Sequence, residues 1–149
     1  MESVAINLPD LAATEALAAR VAACVRVGDA ILLEGPLGAG KTAFARALLR
    51  VMAENPALDV PSPSFTLVQE YVTARGIITH FDLWRLDGPG ALTELGWEEA
   101  REGIVLVEWP DRLGALRPAS ALVVQWSLAE GDARLARLSG WADRLERFA

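Results

Sequence analysis

The spacing of apolar residues changes several times along the chain, and each change marks an element. Asp10 is suited to capping a helix. After it, Leu17, Val21 and Cys24/Val25 recur at helical intervals until Gly28 stops the run. AILLEG (30–35) is a short apolar block closed by glycine, the pattern of a strand buried on both faces. In TAFARALLRVMAEN (42–55), Phe44, Leu48, Val51 and Met52 restore the helical period.

PSPSF (61–65) cannot be helical, because its two prolines lack donors and force extended backbone. FTLVQEYV and GIITHFDLWRL are rich in β-branched and aromatic residues and flank TARG, so they predict two antiparallel neighbours. Residues 89–102 predict a short helix interrupted near Gly96. GIVLVEW is a second buried-strand pattern, limited by Pro110. ALVVQWSLAEGDARLARLSG predicts a hairpin turning at Glu130–Gly131, and WADRLERFA a closing helix. A single α/β domain over 1–149 is expected, with a mixed parallel and antiparallel sheet flanked by helices.

Composition narrows the function classes. The 149 residues are 52% hydrophobic and 23% charged, a globular balance. A net charge of −6 opposes independent binding to a nucleic-acid backbone. No stretch approaches the roughly 20 apolar residues of a membrane span. MESVAINLPD lacks the basic-then-apolar order of a signal peptide, so a cytoplasmic protein is expected. Cys24, the only cysteine, has no internal disulfide partner and reads as a buried packing residue.

The chemistry starts at Gly35-Pro36-Leu37-Gly38-Ala39-Gly40-Lys41-Thr42, which fits the phosphate-binding (Walker A) pattern G-x-x-x-x-G-K-[ST] without exception. Glycines let successive backbone N–H groups converge on an anion at a helix N-terminus. Lysine sets a compact charge against the β- and γ-phosphates, and the threonine hydroxyl suits Mg²⁺. Lys41 is the only lysine; the other basic residues are arginine. A guanidinium is a planar fork, whereas the loop interior suits a point charge on a slim stem.

Such a loop needs a partner acid, usually at the end of a neighbouring strand. Glu108 closes the apolar strand 103–108, and Asp82 shares a strand face with His80. On pattern alone Glu108 is better placed. His80, the sole histidine, excludes a histidine-based metal site and reads as a hydrogen-bonded strand residue. Ser62, Ser64 and Thr66 lie where P-loop enzymes often carry hydroxyls that sense the γ-phosphate.

Assembled, these segments resemble the TsaE (formerly YjeE) family, small bacterial ATPases required to make N6-threonylcarbamoyladenosine (t6A) in tRNA. The resemblance runs from LPD…AT through GPLGAGKT, SPSFTLV, HFDLWRL and ELG to LVEWPDRL, nearly the whole chain. Many families share the loop, but HFDLWRL and VEWPDRL in this order are far more specific. The resemblance implies an ATP site in which Lys41 and its loop neighbours Gly35, Leu37, Gly38, Ala39, Gly40, Thr42 and Ala43 hold phosphates. It also implies Mg²⁺ on Thr42 and Glu108, a need for Asp82 in hydrolysis, and Trp109 in the site's mobile wall. Thr14 and Arg134 are implied near the nucleotide base. The family usually has threonine at Ser64 and tyrosine at Trp84, so a role for a phenol at the latter does not carry over.

The family acts with TsaB and TsaD, its hydrolysis resetting that complex, and meets tRNA only through it. Two other classes compete: a nucleotide-dependent interaction module with negligible turnover, and a small-molecule kinase, for which no lid-sized insertion exists. A GTPase would need Asn-Lys-x-Asp, which a chain whose one lysine is in the loop cannot contain.

Overall fold

The computed structural model describes residues 2–61, 63 and 67–149. Seven strands form one sheet: β1 (Ser3–Leu8), β2 (Ala30–Glu34), β3 (Val68–Thr73), β4 (Gly76–Asp82), β5 (Ile104–Glu108), β6 (Leu122–Leu128) and β7 (Arg134–Ser139). Three α-helices accompany them: α1 (Leu11–Ala22), α2 (Lys41–Met52) and α3 (Trp97–Ala100). The strand order is β1-β7-β6-β2-β5-β4-β3. β2 runs parallel to both β5 and β6, and β4 runs parallel to β5. β3, β7 and β1 add antiparallel pairings towards the two edges. The mixed sheet expected from the apolar patterns is present.

The central strands read as continuous apolar runs because both of their faces are covered. Ile31 and Leu33 of β2, with Leu106 of β5, pack with Leu17, Val21, Phe44 and Leu48 of α1 and α2. Leu32, Val105 and Val107 point the other way, into a second core with Phe81, Trp97 and Leu113. A two-residue alternation thus feeds two cores from one strand.

Four local expectations change. The sequence patterns predict no element at residues 3–8, yet Val4 and Leu8 are buried on β1, which pairs along its whole length with β7. α1 stops at Ala22 rather than running to Gly28. Arg75, from the β3–β4 turn, donates to the carbonyl of Ala22, the last helical residue, and to that of Val25 just beyond it. Residues 89–102 are split into a 3-10 turn at Pro89–Ala91 and the single turn of α3, which starts after Gly96 at φ 80°. The closing helix is reduced to a 3-10 turn at Leu145–Phe148.

That last segment is held by a side chain instead of helical length. Arg144 is buried, donates to Asp29 at 2.7 and 3.1 Å and to the Cys24 carbonyl at 2.7 Å, and lies over the Trp141 ring. Removing one member of a buried ion pair strands the other charge. Arg144→Met is expected to lower the unfolding free energy by about 3 kcal/mol, read from urea denaturation; a loss within about 0.5 kcal/mol would show that this clamp does not hold the chain's end.

Candidate nucleotide site

β2 delivers the loop. Its last residue, Glu34, would oppose an anion, but Arg117 pairs with it at 2.7 Å and Gln125 donates to it at 3.1 Å. Gly35 then turns at φ 141°, and a Cβ built there would stand 2.5 Å from the Trp126 carbonyl oxygen, so only glycine fits against β6. Gly40, at φ 108°, is the N-cap of α2 and supplies no capping side chain; no acid occupies the first turn. The leading N–H groups of α2, at Lys41, Thr42 and Ala43, therefore keep their capacity for an anion at the positive end of the helix. Trp126 forms the support beneath: its ring lies 3.7 Å from a Cβ built at Gly40 and 5.3 Å, centroid to centroid, from Phe44.

The acids arrive from the adjoining strands. In the parallel β4–β5 pairing Asp82 stands opposite Glu108, at the carboxyl ends of both strands. Glu108 is 2% exposed and Asp82 5%. Glu108 Oε1 accepts from the Thr42 hydroxyl at 3.1 Å, and Oε2 contacts His80 Nε2 at 2.8 Å. Asp82 Oδ1 accepts from the Trp84 backbone N–H at 3.1 Å.

Lys41 is also buried. Its ammonium donates to the Gly35 carbonyl at 2.5 Å and lies 3.5 Å from the centroid of the Trp109 ring. Burial lowers its pKa from the ordinary lysine value, while the charges of Glu108, Asp82 and Asp111 work in the opposite direction. Trp109 sits in the left-handed region at φ 60°, directly after β5, and packs against Trp84 with ring centroids 4.3 Å apart and the planes tilted by 47°.

Leu37, Gly38, Gly40, Lys41, Thr42, Ala43, Asp82, Glu108 and Trp109 line a cavity of about 280 Å³. A larger one, about 720 Å³, lies between α3 and the β3–β4 face. Its charged lining is Glu70, Glu99 and Glu102, which suits no phosphate, so size does not decide here. Among the described residues no group of three or more His, Cys, Asp or Glu could cage a metal. The oxygens of Thr42 and Glu108 are nevertheless the hard ligands that suit Mg²⁺, which keeps several waters and shares phosphate oxygens.

Most of the residues expected from sequence thus meet at one place. Arg134 stands at the rim, donating to the Gly38 carbonyl at 3.3 Å. Ala39 is buried within the loop. Thr14 is buried in α1 and does not line the cavity. Ser62, Ser64 and Thr66 lie outside the described residues. Sequence reasoning missed three partners: the His80 contact to Glu108, the packing of Trp84 against Trp109, and Trp126 under the loop. The alternation of His80 and Asp82 on one strand face was the available signal for the first.

Gly35→Ala should push the loop away from β6 and weaken ATP binding by at least about tenfold, together with a stability loss of about 2 kcal/mol. Calorimetric titration and thermal unfolding check both; wild-type affinity would show that the Gly35–Trp126 approach does not set the loop.

The TsaE family model, described as "Threonylcarbamoyl adenosine biosynthesis protein TsaE", matches residues 8–136. A Rickettsia bellii tRNA threonylcarbamoyladenosine biosynthesis protein TsaE is 37% identical over 128 residues, covering 85% of this chain and 88% of the relative. The Aquifex aeolicus protein of the same name is 41% identical over 100 residues, covering 66% and 71%. The crystal structure of Bacillus subtilis YdiB superposes with a TM-score of 0.76 at 26% identity, over 99% of this chain and 91% of that one. With a family match across most of its length and relatives at these identities, the chain belongs to the TsaE family of tRNA threonylcarbamoyladenosine biosynthesis proteins.

Proposed function

We propose that this protein is a Mg²⁺-dependent ATPase that works with TsaB and TsaD in t6A biosynthesis, its hydrolysis resetting that complex between turnovers. The observation that carries the reading is the convergence of Lys41, Thr42, Asp82 and Glu108 on one cavity at the uncapped end of α2. The α2 N–H groups and the Lys41 ammonium bind the phosphate chain. In doing so Lys41 exchanges the Gly35 carbonyl and the Trp109 face for phosphate oxygen, which couples nucleotide binding to the position of Trp109.

Thr42 and Glu108 would hold Mg²⁺, which when bound neutralises charge on the β- and γ-phosphates. Asp82, opposite Glu108 at the carboxyl end of β4, is the acid needed for hydrolysis in this reading. Hydrolysis gives ADP and phosphate, and Trp109 returns to Lys41. Arg134 at the rim, with Thr14 further off, belongs to the nucleotide's base side in this reading, and Ser64 to its γ-phosphate side. Among the described residues no helix is long and apolar enough to cross a membrane, and the net charge of −6 suits contact with tRNA only through the partner proteins.

Lys41→Ala should abolish ATP binding in calorimetry; retained binding would remove the loop from the site. Asp82→Ala should bind ATP normally and lose turnover by about 100-fold or more, and unchanged hydrolysis would demote Asp82 to a structural acid. Purified TsaB and TsaD should stimulate the ATPase and be retained on the protein in a nucleotide-dependent way. Retention indifferent to ATP, ADP or their omission would reject the resetting role.

A further inference from the structure

His80 is the only histidine of the chain, is fully buried, and uses one ring nitrogen. Its Nε2 lies 2.8 Å from Glu108 Oε2, while Nδ1 has no hydrogen-bond partner among the described residues. A carboxylate accepts, so the hydrogen belongs on Nε2; a hydrogen on Nδ1 instead would leave one buried N–H without an acceptor and the carboxylate without a donor. The other Glu108 oxygen, Oε1, accepts from the Thr42 hydroxyl. The order is therefore His80, Glu108, Thr42, running from the interior of β4 across β5 to the start of α2.

The Glu108 side chain has three rotatable bonds, and the partners that fix its carboxylate are Thr42 on one oxygen and His80 on the other. His80 occupies Oε2 from the buried side, which turns Oε1 towards Thr42 and keeps the plane of the carboxylate fixed. Histidine is often met in metal sites as the ligand, with a carboxylate behind it orienting the ring. Here the order is reversed: the carboxylate faces the cavity, and the histidine stands behind it, out of reach of solvent.

We infer that His80 is a positioning residue that sets the magnesium affinity of the nucleotide site through Glu108, without itself touching metal or nucleotide. The inference rests on the Thr42–Glu108 magnesium assignment proposed above. It separates two properties of one site. Phosphate binding by the α2 amides and Lys41 does not involve His80, whereas the tightening by Mg²⁺ does.

The test measures ADP affinity by calorimetry in EDTA and across a Mg²⁺ series, for the wild type, His80→Phe, His80→Gln and His80→Asn. Phenylalanine keeps the ring volume without a donor. Glutamine places an amide N–H close to where Nε2 stands, and asparagine falls short of it. His80→Phe and His80→Asn should need about 10- to 100-fold more Mg²⁺ for the same tightening. Their affinity in EDTA should stay within about twofold of wild type, and His80→Gln should recover most of the Mg²⁺ response. If His80→Phe does not fold, the glutamine–asparagine pair decides alone.

Because the chain has one histidine, its imidazole ¹⁵N–¹H correlations need no assignment, and the wild type should show hydrogen on Nε2. Unchanged Mg²⁺ dependence in the variants, glutamine no better than asparagine, losses in EDTA as large as those in Mg²⁺, or Nε2 without hydrogen would each overturn the inference. A wild type that binds ADP with no response to Mg²⁺ would remove the magnesium assignment itself and this inference with it. A wild type that responds, with variants that match it, would remove only the role of His80.

Discussion

Parallel pairing through the middle of the sheet is the constraint on which the site depends. β2 lies between β5 and β6, and β4 lies beside β5, all running in one direction. Strands aligned this way finish at the same edge, where open α/β sheets characteristically present their ligands. The loop after β2, Glu108 at the end of β5 and Asp82 at the end of β4 are brought together by that shared direction. An antiparallel β4 would carry its acid to the opposite end of the molecule. The apolar residues that cover both faces of β2 and β5 are thus the foundation of a polar site at their carboxyl ends.

The site carries more buried charge than a protein of this size usually tolerates, and its members compensate for one another. Lys41, Asp82 and Glu108 are each about 95% or more buried. Burial opposes the Lys41 charge, and the two acids beside it oppose that effect. Trp109 covers the ammonium from one side with its ring face, an attraction that strengthens where water is excluded. The solitary lysine has a physical explanation in this packing. Its ammonium fits between the Gly35 carbonyl and an indole face at 3.5 Å, where a planar guanidinium would need a wider space and more acceptors.

Legibility from sequence followed how local each cause is. β2, the loop and β5 were read correctly because a continuous apolar run, a glycine turn and a terminal acid each announce themselves within a few residues. The hairpin of β6 and β7 was read correctly for the same reason. The helix expected up to Gly28 is too long, because Arg75, which takes up carbonyls at and just past the end of α1, lies about fifty positions further on. The closing helix failed for a similar reason: Arg144 anchors the segment to Asp29 and Cys24, so the end of the chain needs no helix to be held. β1 was passed over although Val4, Ile6 and Leu8 alternate, since a lone edge strand gains its stability only from its partner.

By itself the sequence determined the α/β class, the glycine-rich loop with its one lysine, and two candidate partner acids at strand ends. These depend on short-range patterns: apolar periodicity, glycine spacing and the chemistry of single side chains. Only the tertiary structure decided that Glu108 faces Thr42 while His80 holds its other oxygen, that Trp109 rests on Lys41, and that Trp126 forbids a side chain at Gly35. Each of those is a distance between residues far apart in sequence, and such distances exist only once strand order and direction have been chosen.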